Sequence, residues 1–72
     1  MPGVKFRRVI QILKSAGFKE DRVKGSHTQF EGVVSGVRRL VTVQTGHLNG
    51  DVAKGTLKSI IRQSGLDPAL FK

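Results

Sequence analysis

Apolar residues recur at helical spacing near the beginning of the chain. Between residues 4 and 16 they lie three or four positions apart and so form one face of a helix. The members of this stripe are Phe6, Val9, Ile10, Leu13 and Ala16. Gly17 follows directly, and glycine commonly ends a helix at this position. The pattern therefore predicts a first helix over residues 4–16.

Residues 18–24 predict a short strand with an irregularity. The two apolar residues Phe18 and Val23 would point to opposite sides of a regular strand, so no single register buries both. A bulge would resolve this conflict. Lys24-Gly25 can then turn the chain, because glycine accepts the positive φ that a tight turn needs.

A second hairpin is predicted from the turn residues Ser35-Gly36, which would pair Val34 with Val37. In that register Phe30 lies opposite Val41, so the apolar residues of the two strands share one face. The other predicted pairs are Thr28 with Val43 on the apolar face, and His27 with Gln44, Gln29 with Thr42 and Val33 with Arg38 on the polar face. The face assignments made for each strand separately therefore agree.

The last third of the chain predicts a loop, a second helix and a final turn. Residues 45–51 form the loop, marked by Gly46, Asn49 and Gly50, where the lone His47 is expected to be structural or solvated rather than catalytic. A helix is predicted over residues 53–64, and Gly65 ends it. The buried stripe of this helix consists of Leu57, Ile60 and Ile61. Asp67-Pro68 has the pattern of an N-cap and a first-position proline, which would start a last turn with Leu70 and Phe71.

The predicted order is helix, three antiparallel strands and helix. Each helix has one apolar stripe and the sheet has one apolar face, so both helices should pack on that face. This is the α+β, α-β-β-β-α arrangement of double-stranded RNA-binding domains. A chain of 72 residues is enough for one small domain, which we place over residues 1–72.

Composition narrows the class of protein further. The chain has no cysteine, and its two histidines and five carboxylates form no recognisable metal-ligand cluster, so neither a metal nor a small-molecule cofactor is expected. No apolar run approaches the roughly 18 residues of a membrane span, and the N-terminus lacks the apolar core of a signal peptide. We therefore expect a soluble, cytoplasmic protein without a membrane partner.

The net charge of +8 at pH 7 favours a polyanionic partner. Nucleic acid fits better than an anionic membrane surface, because the helices need their apolar faces for the core. Lys54, Lys58 and Arg62 repeat every four residues and form a basic ridge, which is either a solvated face or a phosphate-binding surface. The first turn of this helix, Lys54-Gly55-Thr56, offers free backbone N–H groups to an anion. Lys54, Thr56 and Lys58 are therefore candidate RNA-binding residues.

The stretch Gly25-Ser26-His27 is the best candidate for chemistry. The predicted register leaves His27 on the polar face of the sheet, next to a turn. An imidazole can accept and donate a proton near neutral pH, so His27 could act as a general acid or base, although a histidine on a strand surface can also be merely solvated. Lys24 lies near His27 in any register, whereas the pattern leaves open whether Arg22 or Val23 stands beside it.

Several short motifs occur together over nearly the whole chain. They are Ala16-Gly17-Phe18 at the end of the first helix, Gly25-Ser26-His27 with Phe30 after it, Val41-Thr42-Val43, His47, and the run from Lys54-Gly55-Thr56-Leu57 to Ser64-Gly65-Leu66. Together they resemble the HicA (YcfA-like) mRNA interferase toxins. The resemblance implies the double-stranded-RNA-binding-like fold, metal-independent cleavage of RNA, an essential histidine that corresponds to His27, and neutralisation by a co-encoded HicB antitoxin. Many members have a proline where this chain has Thr45, which leaves the conformation of the following loop open.

Without a metal, RNA cleavage most simply uses the ribose 2′-OH as the nucleophile. His27 would then move a proton, and Lys24, with Arg22 as a second candidate, would offset the charge that develops on the phosphate. Ser26 would hydrogen-bond a phosphate oxygen or orient the imidazole. One histidine cannot readily serve as base and acid in the same step. His47 or water would supply the other proton, or the enzyme is slow, and we favour the slow enzyme.

Two other functions remain open at this point. A non-catalytic RNA-binding module of the same fold would leave RNA intact, although the second helix begins with Lys-Gly-Thr rather than with a lysine cluster. A small interaction domain could instead present its basic face to an acidic protein. Base selectivity is expected to be modest, because all four phenylalanines are assigned to the core and the chain has no Trp or Tyr on which bases could stack.

Overall fold

The fold has the predicted order of elements. The structure, a computed structural model, describes residues 3–71. Its elements are helix α1 (Phe6–Ser15), strands β1 (Lys19–Lys24), β2 (His27–Val34) and β3 (Val37–Gln44), helix α2 (Lys54–Ser64), and a 3₁₀ turn (Pro68–Leu70) that Asp67 caps by accepting a hydrogen bond from the Ala69 N–H. The α+β, α-β-β-β-α architecture is therefore confirmed, and the helix ends lie within two residues of the predicted ones.

The three strands form one antiparallel sheet in the order β1-β2-β3. Every pair predicted for the β2–β3 hairpin is present, from Val34 with Val37 to His27 with Gln44. The turn residues Ser35 and Gly36 both have positive φ, 52° and 78°, as a type I′ turn requires. Backbone conformation at two residues thus sets which side chains of the hairpin face the core.

Strand β1 contains the expected bulge, because its pairing with β2 shifts between Glu20 and Arg22. Phe18, just before the strand, is buried, whereas Val23 is 64% exposed at the edge of the sheet. The irregularity therefore puts Phe18 and Val23 on the same side of the sheet, where Val23 pairs with the buried Thr28 but stays exposed because β1 is an edge strand. The pairing also answers whether Arg22 or Val23 stands beside His27. Lys24 pairs with His27, and Arg22 pairs with Gln29, so Arg22 lies on the face of His27.

The core lies on one face of the sheet, and both helices contribute to it. Its buried members are Phe6, Val9, Ile12 and Leu13 of α1, Phe18, Phe30, Val41 and Val43 of the sheet region, and Val52, Ile60 and Phe71 of the last third. All four phenylalanines are buried, as predicted. Ile12 and Val52 were not in the predicted stripes, whereas Leu57 and Ile61 are only partly buried. No helix within residues 3–71 is long and apolar enough to cross a bilayer.

The start of α1 is held by the loop between β3 and α2. The helix has no side-chain cap, and its first N–H groups donate to loop carbonyls: Phe6 to Gly50 over 3.0 Å and Arg7 to Leu48 over 2.9 Å. The Val52 N–H donates to the Val4 carbonyl over 2.8 Å. The bonds from Phe6 and Arg7 satisfy donors that a helix N-terminus otherwise leaves unpaired, and all three bonds attach the loop to the start of the chain's first helix.

Gly32 is predicted to be intolerant of any side chain. A Cβ added there would lie 2.7 Å from Cγ of the buried Phe18 ring, which cannot move without disturbing the core. Overpacking of this kind costs about 1–3 kcal/mol. We expect Gly32→Ala to lower the free energy of unfolding in urea by that amount. Gly55→Ala is the matched control, because a Cβ at Gly55 meets nothing within 4 Å; an equal loss in both variants would contradict the packing argument.

Candidate active site

A two-residue turn places His27 at the start of β2. Lys24 and His27 are paired, and Gly25 and Ser26 connect them. Gly25 has φ 61°, which glycine adopts without the steric cost that other residues carry there. Because side chains alternate along a strand, the buried Thr28 and Phe30 face the helices and His27 faces outward. The imidazole is therefore exposed on the outer face of the sheet, as predicted.

Two rows of paired residues cross this outer face. The first row is Lys24, His27 and Gln44, and the second row is Arg22, Gln29 and Thr42. Five of these six residues line a depression of about 410 Å³, namely Arg22, Lys24, His27, Gln29 and Thr42. We refer to it as the outer-face depression. Arg22 and Lys24 share this face because they are two residues apart on the regular part of β1 that follows the bulge.

The charge of the outer-face depression is positive. Arg22 and Lys24 line it, no carboxylate does, and neither cation forms an ion pair among residues 3–71. The nearest acidic residue along β2 on this face, Glu31, forms an ion pair with Arg38 of β3. The depression thus combines one group that can transfer protons with two cations that can hold an anion, which is the combination that phosphodiester chemistry needs.

Thr45 ties the histidine turn to the loop that follows β3. Its N–H donates to the Ser26 carbonyl over 2.6 Å, and its Oγ1 donates to the same oxygen over 3.2 Å. The same Oγ1 lies 3.1 Å from Oγ1 of Thr28, which is 2% exposed. A proline at this position could make none of these bonds. Thr45 therefore anchors the loop, whose conformation the sequence left open, to the turn.

The remaining candidates lie outside the outer-face depression. Ser26 is exposed within the turn, and its described contact is through its backbone carbonyl. Lys54, Thr56 and Lys58 are exposed on α2, which packs against the opposite face of the sheet. The predicted site residues therefore form two groups, one at the depression and the adjoining turn and one on α2.

His47 is exposed in the loop and does not line the depression; its carbonyl accepts a hydrogen bond from the Gly50 N–H over 3.0 Å. Within residues 3–71, no three of the His, Asp and Glu side chains lie close enough together to hold a metal ion.

Three residues of this region were not among the predicted site residues: Gln29, Thr42 and Thr45. The hairpin register had already placed Gln29 and Thr42 on the face of His27, so that signal was present in the sequence. Thr45 could not be found in this way, because its role depends on how the loop folds back on Ser26.

The Thr28–Thr45 contact provides a test of the anchor. Thr45→Val would leave the buried Thr28 hydroxyl without a partner, which costs about 1–3 kcal/mol. Adding Thr28→Val removes this unpaired hydroxyl, so the double variant should be more stable than Thr45→Val alone. Free energies of unfolding of the two single variants and the double variant measure this coupling. Thr56→Val on the exposed part of α2 is the control, and strictly additive losses would contradict the anchor.

Comparison with known proteins gives the family. Residues 6–66 match the model of the HicA toxin family of bacterial toxin–antitoxin systems. The match covers α1, the whole sheet and α2, including every residue of the outer-face depression. No curated protein matches the chain. Membership implies a cognate antitoxin as a partner. The chain belongs to the HicA family, the toxins of bacterial toxin–antitoxin pairs.

Proposed function

We propose that the chain is a metal-independent endoribonuclease, an mRNA interferase acting in the cytoplasm. One observation carries the proposal: His27, Lys24 and Arg22 line a single open depression that no carboxylate of residues 3–71 lines. An imidazole beside two cations suits an anionic substrate that reacts by proton transfer. RNA is the matching substrate class, because it offers both the phosphate and an internal nucleophile, the 2′-OH.

In the proposed reaction the 2′ oxygen attacks the adjacent phosphorus and the bond from phosphorus to the 5′ oxygen breaks. The 2′-OH loses its proton, the leaving 5′ oxygen gains one, and the products are a 2′,3′-cyclic phosphate and a 5′-OH. His27 carries one of these two transfers. Lys24 and Arg22 offset the negative charge that grows on the phosphate, an effect that is larger in a site that excludes water than in an open one.

The open geometry favours a slow enzyme. His47 does not line the outer-face depression, so one imidazole serves one proton transfer and water serves the other. Proton transfer by a positioned side chain contributes about 10²–10⁴-fold to a rate. A site with only one such group gains this rate factor once, whereas a site with both an acid and a base gains it twice.

RNA binding would extend beyond the cleaved bond. Ser26 stands in the turn next to His27, where its hydroxyl can meet a phosphate oxygen. Lys54, Thr56 and Lys58 on α2 would bind phosphates farther along the strand, so affinity should fall steeply with salt. The antitoxin is proposed to be HicB-like. An RNA-binding module without catalysis is the alternative, and the exposed basic residues of α2 are compatible with it.

Product analysis tests the proposed function. Wild-type protein is incubated with a short RNA in excess chelator, and the ends are identified by mass spectrometry. We expect cyclic phosphate and 5′-OH ends, together with complete resistance of an otherwise identical oligonucleotide that carries 2′-deoxyribose at the cleaved position. Cleavage of that deoxy oligonucleotide, or a requirement for a divalent metal, would contradict the proposed reaction. Tight binding without any cleavage would favour the non-catalytic module.

A further inference from the structure

Two residues in the second row of the outer-face depression, Gln29 and Thr42, have no assigned role. Arg22, Gln29 and Thr42 lie side by side across the three strands, next to the row that contains His27. Residues two apart on a strand share a face and lie about 7 Å apart. This distance is within the reach of one nucleotide, measured from its phosphate to its base. A phosphate held at His27 and Lys24 would therefore bring a neighbouring base over the second row.

The polar groups of this row are free to bind a ligand. Within the described residues 3–71, neither the Gln29 amide nor the Thr42 hydroxyl has a hydrogen-bond partner, and Arg22 forms no ion pair. Gln29 is half-buried, so its side chain is confined by its neighbours. The Thr42 backbone is held separately, because its N–H donates to Oε1 of Gln63 over 3.3 Å. The row thus offers one amide, one hydroxyl and one guanidinium on a fixed backbone.

We propose that this row is a nucleobase subsite that prefers a purine next to the cleaved bond; the inference deepens the proposed function and rests on it. A glutamine amide can make two hydrogen bonds to N6 and N7 of adenine, and its N–H can donate to N7 of guanine. Both edges include N7, which pyrimidines lack. Gln29 is therefore the specificity-determining residue, and the Thr42 hydroxyl adds a third polar contact.

Arg22 also supplies a surface on which a base can stack, in place of an exposed aromatic side chain. The four phenylalanines are buried and the chain has no Trp or Tyr, from which modest base selectivity was expected. A planar guanidinium can stack on a base as an aromatic ring does. The depression of about 410 Å³ has room for a purine beside the imidazole. Base selectivity should accordingly be higher than the modest level expected from the lack of exposed aromatic residues.

Cleavage of a randomised RNA pool tests the subsite. Sequencing of the ends produced by the wild type should show a purine enriched about tenfold at one position adjacent to the cut, as two hydrogen bonds to one base provide. Gln29→Leu should abolish the enrichment, and Thr42→Val should weaken it while keeping the shape of the side chain. Gln11→Leu makes the same chemical change on the exposed surface of α1 and should keep the wild-type profile.

Binding separates this inference from the proposed cleavage. Oligonucleotides with 2′-O-methyl ribose cannot use the 2′ oxygen as a nucleophile, so they are bound without being cleaved. The difference in affinity between two of them that differ in one base reports the subsite. Wild type should bind a purine-containing oligonucleotide about tenfold more tightly than its pyrimidine counterpart, and Gln29→Leu should bind the two equally. If the wild type cleaves no RNA yet shows this difference, the cleavage proposal fails and the subsite stands. Equal binding by the wild type, or an unchanged preference in Gln29→Leu and Thr42→Val, would overturn the subsite.

Discussion

The register of the β2–β3 hairpin is the constraint on which the rest of the structure depends. Side chains alternate strictly along a strand, so a slip of one residue would exchange the two faces of the hairpin. Phe30 would then leave the core, and His27 would enter it. The positive φ values of Ser35 and Gly36 exclude that slip, because they fit only the two-residue turn that pairs Val34 with Val37. Burial of one phenylalanine and exposure of one histidine are thus two results of the same turn.

A domain of this size can use the two faces of its sheet for different tasks. Both helices pack on the inner face, where Phe30, Val41 and Val43 form the centre of the core. No element of the described chain covers the outer face, which carries Arg22, Lys24 and His27. Rigid strands fix the spacing of these side chains, and the Thr45 anchor fixes the turn from which His27 begins. The site is therefore supported from behind by the core and at its end by the loop.

The sequence predicts the fold well because its strongest patterns are local. Helical spacing, the alternation around Phe30 and the turn residues each point to one structure, and they agree with one another. Pairing beside the bulge was not predictable, since the position of an extra residue depends on how Phe18 packs on Gly32. Thr45 was missed for a similar reason: its partners, Ser26 and Thr28, are distant in the chain and meet it only in the folded domain. Family membership supports the predicted role as a toxin. The roles of individual residues stay predictions.

The central claim is that the exposed imidazole of His27 transfers a proton during RNA cleavage. It is tested most directly by comparing His27→Ala and His47→Ala with the wild type on one RNA, after circular dichroism has shown that all three proteins are folded. The account predicts that His27→Ala loses cleavage by at least about 10²-fold while still binding the RNA, and that His47→Ala keeps the wild-type rate. Full cleavage by a folded His27→Ala variant would contradict it.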